Sequence, residues 1–232
     1  MSIRMDAVKE SILSALNYLP KTIELILIPL LIGIVLGTLI AFVRVYKIPV
    51  LSQFFSCFIP IYQGIPIVVA LLIYNLLYLI KCNDVLQFFH SSKTIADIDN
   101  IIVGLFALSL MMICNISEAV RGALLSIDKG QTEAAYAVGL SKLQTIRRII
   151  IPQMIPVAIP VMVNNTVGLI KATSIVYAVG ISEVLSGALV PASKRYTFFE
   201  GYLAAALLYW VLTIVVEVAY QFAEKKSGKF RR

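Results

Sequence analysis

The sequence predicts an all-α integral membrane protein of about five transmembrane helices, organised as one domain over residues 1–232. Three observations carry that prediction. First, 59% of the residues are hydrophobic and only 14% are charged, where a soluble domain carries about 25% charged residues. Second, no Asp, Glu, Lys or Arg lies between Lys47 and Lys81, Asp99 and Glu118, or Arg148 and Lys171, and residues 25–43 and 201–216 are equally free of charge. A helix crosses the hydrocarbon core with roughly 20 mostly apolar residues. Third, the bases are unevenly distributed between the two ends of the predicted spans.

Taken in order, residues 1–21 form a lead-in whose short apolar runs are broken by Arg4, Asp6, Lys9, Glu10 and Lys21, which does not fit a cleavable signal peptide. Within it "MDAVKESILSAL" (5–16) reads as an amphipathic helix on the outer surface, or as a merely solvated segment. Spans are expected at 22–43, 55–80, 100–122, 149–172 and 199–222. Gly33 and Gly37 make a GxxxG face in the first, suited to close helix packing. Pro152, Pro156 and Pro160 share one face of the fourth and tend to bend it.

Because five crossings alternate, the 44–53 turn, the 121–150 region and the 223–232 tail fall on one side. That side carries twelve of the twenty Lys and Arg, the opposite side seven, with Lys171 inside a span. Positive residues favour the cytoplasmic face, so the N-terminus is expected outside and the C-terminus in the cytoplasm. The net charge of +7 then requires no nucleic acid, since anionic lipid headgroups suffice as partner.

Catalytic chemistry is not indicated. Cys57, Cys82 and Cys114 are far apart, and His90 stands alone, so neither a metal cluster nor a Ser/His/Asp arrangement is expected. No GxxxxGK[ST] loop occurs, and the chain is not expected to hydrolyse a nucleotide.

Charges within or near the spans are more informative, because each needs a partner or an aqueous cavity. These are Glu24, Glu118, Arg121, Lys171 and Glu217. Glu118 and Arg121 stand three residues apart and read as a structural ion pair. Lys171 either lines a water-filled pocket or snorkels to the outer interface. Asn164, Asn165 and Thr166 lie one to two turns before it, and together with Lys171 they favour a hydrophilic cavity.

The stretch "EAAYAVGLSKLQTIRRIIIPQ" (133–153) is a polar interruption. Thr132 can cap a first short helix, Gly139 suits its left-handed end, and Ser141 with Gln144 matches a capping box opening a second. Composition leaves two readings for this pair of helices, a lipid-surface element or a docking knob.

That stretch resembles the EAA motif of ABC-transporter importer permeases, with Glu133, Ala134, Ala135 and Gly139 at the motif positions. The segments "ISEAVRGALLSIDKGQTEAA" (116–135), "GLIKATSIVYAVGISEVL" (168–185), "IYQGIPIVVALLIYN" (61–75) and "GIVLGTLIAFVR" (33–44) resemble the polar amino acid subgroup. The likeness covers about residues 20–222.

The resemblance implies a permease without cofactor of its own, multi-pass in a bacterial cell membrane, paired with a second copy or paralogue. Its implied partners are ATP-binding cassette ATPase subunits, which hold ATP and Mg, and an extracytoplasmic amino acid-binding protein. Residues 123–148 would couple to the ATPase through Glu133, Ala134, Ala135, Gly139, Leu140 and Ser141, in a helix between spans three and four. Candidates for the substrate pathway are Gln63, Asn115, Asn164, Asn165, Lys171 and Ser174. Two positions depart from the family: Ala172 replaces an acid, and Gln63 replaces an arginine. The first favours a neutral or sulphur-containing amino acid such as cystine; a cationic amino acid is the alternative. An ion-coupled carrier or a channel is the rival from another class, and the EAA likeness speaks against it.

Overall fold

The computed structural model describes residues 3–88, 90 and 92–227, the last five by backbone alone. Five helices are long and apolar enough to cross a membrane: span one (Leu19–Val45), span two (Ile67–Phe88), span three (Ile101–Leu125), span four (Lys142–Val179) and span five (Phe198–Phe222). Among the described residues the remaining regular structure is helical as well. The C-terminal helix continues to Ser227, so residues 223–227 of the expected tail are helical backbone. Residues 228–232 lie outside the described residues.

Span three is the centre. Of its apolar stretch 56% is buried, against 28% or less in each of the other four, and spans one, two and four all pack on it. The closest approach is at Gly33 and Gly37, where span one takes a single turn of π-helix. A Cβ built on Gly33 would stand 2.7 Å from the Met112 Cβ, and one on Gly37 would stand 2.8 Å from the Ile113 carbonyl. Only residues without a side chain let the two backbones meet there, as the GxxxG spacing predicts.

Span two differs from the expected 55–80. The uncharged stretch from 48 to 80 holds two helices, a loop helix Leu51–Gln63 and the span proper at Ile67–Phe88. Pro66 supplies no backbone donor and disfavours helical geometry at Ile65, so the first helix stops at the Gly64 turn. The span then runs on past Lys81 and Asp84, which pair at 3.1 Å on its exposed surface. The loop helix stacks Phe54, Phe58 and Tyr62 along one side and buries Ile59 and Tyr62 against Cys114 of span three.

Span four passes Pro152, Pro156 and Pro160 without a break. A π-turn at Ile146–Ile150 directly precedes Pro152, and the Gln153 side-chain amide donates to the Ile149 carbonyl at 3.0 Å. Side chains thus take up carbonyls that the irregular turn leaves free. The span closes as a 3₁₀ segment, Thr173–Val179, at Gly180 with φ 77°.

The lead-in helix Met5–Leu16 is not simply a surface helix. Ala7, Val8, Ser11 and Ala15 are buried against a hairpin helix, Val184–Arg195, and span five. Gly187 lets Tyr18 and Ala15 approach the hairpin helix, and the Ser14 hydroxyl donates to the Gly187 carbonyl at 2.7 Å. Glu183, fully buried, caps the hairpin helix by accepting from the Leu185 and Ser186 amides and from the Tyr209 hydroxyl of span five. The lead-in contacts leave no trace in the amphipathic pattern, because they join residues some 170–200 positions apart.

Contacts also sort the two ends. Lys21 bonds Asp99, Asn100 bonds the Val179 carbonyl, and the Val184 amide bonds Thr22, which gathers one set of turns. At Asp99 the Ile101 amide and Lys21 hold the carboxyl below its usual range. Tyr46 meets Lys142 at the opposite end.

Gly37→Leu is expected to lower stability by about 1–3 kcal/mol through overpacking against span three. A thermal melt in detergent reads this, with Gly168→Ala as the control. An added Cβ at Gly168 meets nothing within 4 Å, so its midpoint stays at or above that of the native chain.

Candidate functional site

A polar patch lies where the loop helix, span three and span four converge, with Gln63 exposed and Asn115 and Asn165 half-buried. Gln63 is the last residue of the loop helix, and its side-chain amide donates to the Asn115 Oδ1 of span three at 3.2 Å. Asn165 of span four donates to the Asn115 carbonyl at 3.4 Å. These three amides, with Glu118, Ala119, Gly122, Ala123, Val157 and Val161, line a pocket of about 380 Å³. A second pocket of about 330 Å³ is also lined by Gln63 and Asn115, together with Tyr62, Ile65, Pro66, Ile67 and Met111. A cavity near 300–1,000 Å³ suits a small organic ligand. The two pockets share the Gln63–Asn115 pair in their linings, and each is of the order an amino acid fills.

Glu118 supplies the one carboxylate of the lining, and it is already engaged. Arg121, one turn along span three, donates to Glu118 Oε2 through Nε at 2.9 Å and Nη2 at 2.7 Å. Arg44, at the end of span one, pairs with Glu118 Oε1. The expected Glu118–Arg121 pair is thus one half of a three-member cluster. Its third member is not legible in the sequence, since 74 residues separate Arg44 from Glu118. The Arg44 side chain is only 8% exposed, so its charge depends on this carboxylate. Arg44 also donates to Ser56 and its carbonyl accepts from Ser52, both at 3.4 Å, which ties the loop helix to the cluster.

Three other candidates for the pathway lie elsewhere. Asn164 and Lys171 are exposed, and the half-buried Ser174 donates to the Lys171 carbonyl at 2.7 Å; none of the three lines either pocket. Ala172 is buried in the main core. The missing acid at 172 therefore gains no force from the geometry of this chain.

The 133–153 stretch forms two helices as its caps require, with one change. Asp128, not Thr132, starts the first: its carboxylate accepts from the Gly130 amide at 2.6 Å, and the helix runs Lys129–Ala137. Asp128 precedes the first turn directly, which leaves Thr132 inside the helix. Gly139 has φ 81° and the Leu140 amide returns to the Ala135 carbonyl at 3.0 Å, the left-handed closure a glycine permits. Ser141 and Gln144 form the reciprocal capping box. Ala135 faces inward at 5% exposure. Glu133, Ala134, Tyr136, Ala137 and Val138 are exposed, as are Ser141 and Leu143, while Leu140 is half-buried.

No group of three His, Cys, Asp or Glu positioned to hold a metal occurs among the described residues.

A family model described as "binding-protein-dependent transport system inner membrane component" matches residues 33–229. A probable amino-acid ABC transporter permease, PatM of Vibrio harveyi, is 33% identical over 92% of this chain and 92% of its own length. A probable amino-acid permease of Bacillus subtilis, YxeN, is 36% identical over 91% and 90%. The L-cystine transport system permease TcyL of Bacillus subtilis is 31% identical over 97% and 92%. Among solved structures, an amino acid ABC transporter crystallised with histidines superposes with a TM-score of 0.78 at 25% identity, over 97% of this chain and 100% of the other. The MetNI methionine ABC transporter, inward facing, gives 0.71 at 16% identity over 92% and 96%, which shows the fold.

Glu118→Gln is expected to cost about 1–3 kcal/mol of stability, because it leaves the Arg44 guanidinium poorly compensated. A thermal melt in detergent measures the loss. Adding Arg44→Met to Glu118→Gln recovers part of it, and a double-mutant cycle reads the coupling.

Proposed function

The chain belongs to the family of binding-protein-dependent transport system inner membrane components, and from that premise we propose that it forms the pathway of an ATP-driven importer for neutral amino acids. The observation that carries the substrate class is the state of the single charge in the pocket. Glu118 sits between Arg44 and Arg121, so the pocket offers a ligand side chain the amides of Gln63, Asn115 and Asn165 rather than a free carboxylate. Amide groups and an apolar wall from Val157 and Val161 suit a polar, uncharged or sulphur-containing side chain. The likeness to the L-cystine permease TcyL supports the same class. The likeness to a transporter crystallised with histidines favours a second reading, a cationic amino acid that draws Glu118 away from its arginines.

In this reading the base-rich end of the spans faces the cytoplasm, and the helices around Glu133 to Ser141 receive the ATPase subunit. Their exposed small and apolar groups, Ala134, Ala137 and Val138, leave a shallow surface on which another body packs. A second copy or a paralogue completes the membrane part, and an outside binding protein supplies the amino acid. Nucleotide-driven movement at the docked helices is passed to spans three and four, which carry Asn115, Glu118 and Asn165. Opening of the pocket then alternates between the two sides as packed bundles rock. Catalysis belongs to the ATPase, and this chain contributes binding and movement.

Two experiments test the reading. In proteoliposomes holding the permease, ATPase and binding protein, cystine or another neutral amino acid is expected to stimulate ATP hydrolysis more than arginine or lysine; the reverse order establishes the cationic alternative. Glu133→Lys and Gly139→Asp are expected to abolish co-purification of the ATPase subunit. Normal ATP-coupled uptake in both variants removes these helices from the docking role.

A further inference from the structure

Span one ends in a junction to which the pocket and the second docking helix both connect. Tyr46 is the residue that closes the span, followed by Lys47 at φ 52°. Its ring stacks on Phe42 one turn back, with centroids 5.9 Å apart, and Phe42 packs on the main core. On its other side the Lys142 ammonium lies 4.9 Å from the ring centroid, within the range of a cation–π contact. Lys142 is the first residue of the second docking helix, directly after the Ser141 cap. Two residues before Tyr46, Arg44 holds Glu118.

The second docking helix thus bears on the aromatic ring at the end of span one, and the same end of span one grips the pocket's carboxylate. From this arrangement we infer that Tyr46 is a positioning residue, which transmits displacement of the docking helices through Lys142 to span one and so to Arg44 and the Glu118 wall of the pocket. The chain has two routes from dock to pocket. One is the covalent continuation into span four, which begins at Lys142. The other is this non-covalent clamp, which lets span one follow span four. Without it, span four moves against a span one still anchored to span three at Gly33 and Gly37, and part of the stroke is lost.

The inference rests on the docking role of the Glu133–Ser141 helices, and the test separates the two. Using the reconstituted complex of permease, ATPase and binding protein, amino acid uptake and ATP hydrolysis are measured together. Tyr46→Leu keeps the bulk and removes the π face. It is expected to retain ATPase co-purification while uptake per ATP falls about two- to fivefold, the range set by an exposed cation–π contact. Tyr46→Phe restores the native ratio. Lys142→Met lowers the ratio as Tyr46→Leu does, Lys142→Arg does not, and the Tyr46→Leu/Lys142→Met double variant falls no further than either single one. A ratio unchanged in Tyr46→Leu with its ATPase bound overturns the inference, as does equal behaviour of Lys142→Met and Lys142→Arg should Tyr46→Leu fail to assemble. Loss of the docking reading itself shows separately, as normal ATPase binding in Glu133→Lys.

Discussion

The approach of span one to span three at Gly33 and Gly37 determines most of the other contacts around the pocket. In lipid no hydrophobic gain drives one helix onto another, so close packing of small residues decides which faces meet. With Gly37 against the Ile113 carbonyl and the Ile116 Cβ, the two helices hold one register. Seven residues on from Gly37, two helical turns, that register delivers Arg44 to Glu118. Two residues further it delivers Tyr46 to Lys142. The Arg44–Glu118 contact depends on this register, whereas the Glu118–Arg121 pair lies within span three. A slip of one turn along this interface would separate Arg44 from Glu118.

The spans, the caps and the small-residue face are legible in the sequence because each is a local pattern. Absence of charge over 16 or more consecutive residues, Ser141 three before Gln144, Gly139 after a helix, and Glu118 three before Arg121 are each contained in one short stretch of chain. Local patterns fail where they admit two outcomes. The charge-free stretch at 48–80 reads as one span until Pro66 is allowed to break it, and Thr132 fits the cap pattern although Asp128 is the residue that caps the helix. The lead-in helix shows an apolar face that water, lipid or protein could cover, and only the folded chain reveals that the hairpin helix and span five cover it. Arg44, Glu183 with Tyr209, and Tyr46 with Lys142 belong to a third kind. Their partners lie 26 to 96 positions away, and no periodicity announces them.

The pocket shows the same division. Gln63, Asn115 and Asn165 stand out separately as polar residues in apolar surroundings, and they meet around one side chain and its backbone carbonyl. Asn164, next to Asn165, is turned outward by the roughly 100° step of a helix and is exposed. Lys171 and Ala172 are sequence neighbours of the pocket residues, yet helical phase leaves the first exposed and buries the second in the core. Chemical type identifies the neighbourhood, while phase decides membership.

Selectivity depends on how the charges beside the pocket are paired. A carboxylate facing a cavity attracts any cation, including ions and lysine-like side chains, and a carrier for neutral substrates must suppress that attraction without exposing a buried anion. Under the proposed import of neutral amino acids, two guanidinium groups on separate elements serve this role: Arg121 is fixed by its own helix, and Arg44 is delivered by span one. The cluster stays quiet toward the pocket only while span one keeps its register with span three. Movement of span one during transport would loosen Arg44 and return negative charge to the pocket wall. On the proposed reading, selectivity and conformational state are coupled through Arg44, because the pair that quiets the pocket is carried by span one.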